Sequence, residues 1–125
     1  MPREQSDASF LWDMLTAARA VASFVTDRNF EQYERDLLLR SAVERQIEII
    51  GEAARRITRA FRDQHPEIPW PRIMGQRHVL AHDYGEIEHD RIWRVATLHI
   101  PVLMGQLEPL VPTPPPDPEP DRQTP

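Results

Sequence analysis

Apolar residues recur at three- and four-residue steps along most of this chain, the spacing of helices that bury one face. After Ser6-Asp7, either of which can cap a helix, Phe10, Leu11, Met14, Leu15, Ala18, Val21, Ala22 and Val25 form one stripe. Thr26-Asp27-Arg28-Asn29 interrupts it. A longer stripe then runs through Leu37, Leu38, Ala42, Val43, Ile47, Ile50, Ala53, Ala54, Ile57 and Phe61, and the spacing predicts a second helix ending at His65-Pro66. Gly51 lies inside it, where glycine costs about 1 kcal/mol relative to alanine, so a close helix contact is expected there. Pro69 and Pro71 suit the first turn of a shorter third helix through Ile73, Met74, Arg77, Leu80 and Ala81, fading near Asp83-Tyr84-Gly85. A fourth starts at about Ile87 and carries Ile92, Val95, Ala96, His99, Leu103, Leu107 and Leu110, with a kink expected at Pro101. Four helices with short connections imply an all-α, antiparallel four-helix bundle over residues 1–111.

From Pro112 the pattern stops. Seven of the last fourteen residues are proline and almost none is apolar, so residues 112–125 are expected to be a disordered tail. At 125 residues and 40% apolar composition the chain suffices for one modest core. It has no cysteine, which excludes disulfides, thiolate metal sites and cysteine nucleophiles. No stretch reads as a leader or as a membrane span of roughly 20 apolar residues. A soluble, cytoplasmic protein with no membrane partner is expected.

The formal charge of -5 argues against a nucleic-acid binder until its distribution is considered. Between Glu52 and Arg77 six arginines face three carboxylates, a local surplus of three positive charges. All fifteen cations are arginine, whose planar fork suits phosphate, although a lysine-free chain equally reflects genomic base composition. Arg55, Arg59 and Arg62 fall at i, i+4, i+7, the spacing of an RNA groove and equally of a solvated helix face.

Candidate chemistry concentrates between Arg77 and Tyr84: a guanidinium, the imidazoles of His78 and His82, the Asp83 carboxylate and a phenol within eight residues. The set suits cleavage of a phosphodiester without a metal. A histidine titrating near neutrality can move the proton of a ribose 2'-hydroxyl or of the leaving 5'-oxygen, and an arginine can stabilise charge developing on phosphorus. Taken alone, these residues fit a bland reading at least as well, with Arg77 a solvated cation near a helix end, His82 a packing histidine and Tyr84 a half-buried aromatic. His78 and His82 also have the i, i+4 spacing of a helical zinc pair, but Asp83 and Glu86 are weak third ligands and no H-E-x-x-H pattern is present, so no metal is assigned. Glu52 could pair with Arg77 from the second helix. His65, His89 and His99 receive no role.

Arg77, His82 and Tyr84 spell R-x4-H-x-Y, which resembles the signature of HepT proteins within the HEPN superfamily. The resemblance extends through Ile49-Ile50-Gly51-Glu52-Ala53-Ala54-Arg55-Arg56 and His65-Pro66-Glu67-Ile68-Pro69-Trp70, similar to the family's second helix and its exit loop, and covers roughly residues 8–110. It implies a ribonuclease toxin that acts as a homodimer on RNA with no cofactor. Arg77 and His82 would be its catalytic pair, and Tyr84 the residue adenylylated by a partner minimal nucleotidyltransferase antitoxin. His78 and Asp83 would be accessory, with Arg55, Arg59 and Glu52 on the RNA-binding side. The alternative is a non-catalytic dimer that binds RNA or the nucleotidyltransferase through the same residues.

Overall fold

The structure, a computed structural model, describes residues 6–81 and 88–112, and within these the side chains of all but 76–81. Every regular element among them is helical: α1 (Asp7–Val25), α2 (Phe30–Arg35), α3 (Leu37–Arg56), α4 (Arg59–Gln64), α5 (Trp70–Ala81), α6 (His89–Arg94), a π turn (Val95–His99), α7 (Ile100–Leu107) and a closing 3-10 turn (Glu108–Leu110). The all-α expectation holds, and the helices pack on one another as in a HEPN bundle. The tail from residue 113 lies outside the described residues.

The long antiparallel pair is α1 and α3, and α1 also packs along α7 while α5 lies against α3. Leu11, Met14, Leu15, Ala18 and Val21 from α1 meet Val43, Ile47, Ile50 and Ala54 from α3, all buried, with Leu103 and Leu107 closing the third side. Gly51 is buried in α3. At the C-terminal end, the Trp12 indole N–H donates to the Pro112 carbonyl at 2.9 Å and Arg19 pairs with Glu108 at 3.5 Å. Both pin the last turn to α1.

Three departures from the expected elements have local causes. The second helix does not run to His65. It ends at Arg56, and Thr58 starts α4 by accepting from the Phe61 amide while its own N–H and hydroxyl both donate to Asp7. A threonine inside an apolar stripe was the available signal for this corner, outweighed by the periodicity of Ile57 and Phe61. Between α1 and α3 a one-and-a-half-turn helix, α2, is inserted, opened by a capping box in which Asn29 and Gln32 bond each other's backbone N–H groups. It buries Tyr33, whose ring lies 5.2 Å from that of Trp93. Finally, Leu37 and Leu38 stand at 67% and 80% exposure rather than on the core stripe. They occupy the first turn of α3, and Leu39 is the first residue of that helix to be buried.

The expected kink at Pro101 takes the form of a widened turn. Proline has no N–H to give Thr97, and its ring would strike that carbonyl in a regular α-helix. The chain accommodates it one turn early: the Ile100 N–H reaches the Val95 carbonyl, five residues back, and Pro101 then sits in the first turn of α7, where its missing donor costs nothing.

Candidate functional site

Helix α5 carries Arg77 and His78, and its seating is set by the loop before it. The Trp70 indole donates to the His65 carbonyl at 3.0 Å, the Ile73 amide donates to the Pro69 carbonyl at 3.0 Å, and His65 pairs with Glu67 at 3.2 Å while its ring packs 4.4 Å from Phe61. Ile68, Trp70 and Ile73 are buried. These contacts fix both the position of the α5 N-terminus and the rotation of the helix. Arg77 comes seven residues after Trp70, almost two turns further along α5. The side chains of Arg77 and His78 lie outside the described residues, as do His82, Asp83 and Tyr84 altogether. His82 follows directly on Ala81, the last residue of α5.

The structure separates the accessory residues. Ile47 and Ile50 line one cavity with Pro69 and Ile73, so α5 starts beside the middle of α3. Glu52 lies farther toward the C-terminal end of α3, in the groove on its α1 side with Phe10, Asp13 and Arg45, and its carboxylate is 3.8 Å from Arg56. The expected Glu52–Arg77 pair involves the Arg77 side chain, which lies outside the described residues; within α3, Glu52 makes an i, i+4 pair with Arg56. Arg55 and Arg59 are exposed beside the α3–α4 corner. Arg62 turns inward from α4 and places its guanidinium 3.6 Å from the Met74 sulfur of α5. Among the described residues no group of three metal-ligating side chains is gathered.

Two ionisable groups have shifted affinities for protons. Burial raises the Glu44 carboxyl above the usual range, partly offset by His89 and Arg40. Burial lowers His99, and the neighbouring guanidiniums of Arg72 and Arg94 lower it further. Sequence reasoning had assigned nothing to His99 or Arg72. The signal that could have drawn attention to them is Pro101, whose widened turn ends at His99.

Described residues that are helical in every regular element, with an Arg-x4-His-x-Tyr sequence beginning in α5, narrow the class. The Ribonuclease HepT-like family profile matches residues 14–110, and the chain belongs to that family. It is 34% identical over 107 residues to a Thermococcus cleftensis protein named probable ribonuclease HepT, covering 86% of this chain and 97% of the relative. It is also 34% identical over 100 residues to a Methanocaldococcus jannaschii protein named as an inferred RNase, covering 80% and 92% respectively. No solved structure matches. No helix among the described residues is long and apolar enough to cross a membrane.

Proposed function

We propose that this protein is a metal-independent endoribonuclease of the toxin type, active as a homodimer and silenced by adenylylation. The observation that carries the reading is the family match over residues 14–110, which takes in Arg77, His82 and Tyr84. In the proposed reaction the ribose 2'-oxygen bonds to phosphorus as the bond to the 5'-oxygen breaks. His82 handles the proton leaving the 2'-hydroxyl or arriving at the 5'-oxygen, and Arg77 stabilises the charge on phosphorus. On an ideal helix, positions 77 and 82 would stand about 140° apart. A two-fold axis near the end of α5 would bring two Arg-His sets together, which one subunit alone would do poorly. AMP on Tyr84 would place a tethered phosphate where Arg77 engages it in preference to RNA.

The test is cleavage of RNA by purified, unmodified protein. Arg77→Ala and His82→Ala should each lower the rate by about 10²-fold or more with the fold retained, and EDTA should leave it unchanged. Light scattering should give the mass of a dimer. Tyr84→Phe should cut RNA normally and escape silencing by a minimal nucleotidyltransferase with ATP, while wild type gains AMP on Tyr84 by mass spectrometry. An RNA substrate left intact by wild type, or cleavage that stops with EDTA and returns with zinc, overturns the catalytic assignment.

A further inference from the structure

Between α3, the start of α5 and the widened turn before α7 lies a cavity of about 220 Å³. Its floor is apolar, with Ile47 and Ile50 from α3, Ile73 from α5, and Ile100 and Leu103 from α7. Its rim carries the Arg72 guanidinium and the His99 imidazole, and Arg94 is close enough to His99 to oppose its protonation. Arg94 pairs with Asp90 at 3.8 Å, whereas Arg72 pairs with no carboxylate among the described residues. The one acidic residue on the lining, Glu67, engages His65. The opening is flanked by Val102, 60% exposed, with Leu98 equally exposed one turn before it.

The cavity has a specific structural origin. The π turn that accommodates Pro101 carries both Val95 and His99 into its wall, and such turns occur often at functional sites. Its size is informative as well: a dry cavity of about 150 Å³ takes a single benzene ring, so this one has room for a fused pair of rings. An apolar cavity beside an imidazole and a guanidinium with no carboxylate partner among the described residues has the chemistry of a nucleotide site, the base in the cavity and the phosphate at the rim. Helix α5 carries Arg77 as well, about 7.5 Å beyond Arg72 along the axis and about 140° around it, so a strand reaching from the cavity to Arg77 would have to pass around the helix.

We infer that this cavity is a base-binding subsite, taking one purine of an RNA strand between α3, α5 and α7 with the adjoining phosphate held by Arg72 and His99. The inference rests on the ribonuclease reading for the identity of the strand, and it assigns to Arg72 and the cavity a preference among bases that Arg77 and His82 alone would not supply.

The probe is adenosine 3'-monophosphate, followed by NMR of the isoleucine methyl groups and the histidine ring protons. The nucleotide should shift Ile73, Ile100 and His99, uridine 3'-monophosphate should bind several-fold more weakly, and inorganic phosphate should move His99 without moving the isoleucine methyls. Val102→Trp, which adds a ring at an exposed position on the mouth, should abolish the methyl shifts. Arg72→Ala should weaken binding about tenfold. On RNA, Val102→Trp should raise KM and flatten base preference while kcat holds, a pattern that loss of fold would not give. Unmoved methyls at millimolar nucleotide overturn the inference, as does a Val102→Trp variant that dissociates a dimer with no change in nucleotide shifts, which would make this face a contact between copies. Cleavage with unchanged KM and base preference in both variants also overturns it and leaves the ribonuclease reading standing. Methyl shifts without any RNA cleavage would support the subsite and sink the ribonuclease reading instead.

Discussion

Asp7 and Thr58 hold each other twice: one carboxylate oxygen accepts from the Thr58 amide at 2.8 Å and the other from its hydroxyl at 2.7 Å. The pair joins the first turn of α1 to the corner where α3 gives way to α4, 51 residues later in the chain. Ser6 meanwhile caps α1, which leaves the aspartate free for this tie. Charge-assisted bonds of this kind contribute about 1–3 kcal/mol each, less where water competes, as it does here. Asp7→Ala should destabilise the protein by about 1–2 kcal/mol in chemical denaturation. An unchanged midpoint would show that the corner is held by packing alone.

Glu44 sits where its charged form is disfavoured by burial. Its carboxyl therefore keeps its proton to higher pH in the folded chain than in the unfolded one. The resulting stability is complete below the ordinary carboxylate range and is lost as pH rises through the raised value. Glu44→Gln, which is neutral at every pH, should gain stability relative to wild type between about pH 4 and pH 7. Denaturation curves at the two pH values check the sign, and a relative loss on going to pH 7 would refute it.

His99 has the opposite linkage. Burial, Arg72 and Arg94 all disfavour its imidazolium, so the folded chain releases this proton at lower pH than the unfolded chain does. Its contribution to stability is complete above the ordinary histidine range and is lost as pH falls through the depressed value. Arg72→Ala should move the His99 titration, followed by its ring protons in NMR, upward toward that of a free histidine. A titration that stays in place would show that burial alone sets it.

Gly75 lies in the interior of α5, and a methyl group added there would meet nothing within 4 Å. Gly75→Ala should stabilise an isolated subunit by about 0.5–1 kcal/mol, because the unfolded chain loses more freedom than the helix does. Thermal denaturation at low protein concentration measures it. A destabilised variant would show that the open space is filled in the assembled protein.

Much of the fold is legible in the periodicity. The stripe of α1 and that of α3 from Val43 onward predict the faces that the structure buries, because long amphipathic helices are specified many times over. What the pattern misses is short or decided by single polar side chains. Helix α2 is six residues long and depends on Asn29, and the corner after Arg56 depends on Thr58 meeting Asp7. Leu37 and Leu38 mislead for the converse reason: a helical period continues past the point where the neighbouring helix ends. For the site, the order Arg77, His82, Tyr84 points to a family without giving geometry. Nor does spacing along a chain say which neighbour a helix face meets: the groove that Glu52 shares with Phe10, Asp13 and Arg45 is not legible in the sequence.

The widened turn at Val95–His99 also bears on how this helix can change over evolutionary time. A π turn is an α-helix holding one residue more than its path requires, so chain length and register are uncoupled there. Loss of a single residue within those five would restore regular winding and leave Leu103 and Leu107 aimed at the core, whereas the same loss elsewhere in α7 would rotate the following residues by about 100°. Pro101 makes the extra residue costly to discard, since regular winding would return its ring to collision with the carbonyl four positions earlier. The proline thus acts as a ratchet, holding in place an insertion that the rest of the bundle could lose without changing shape.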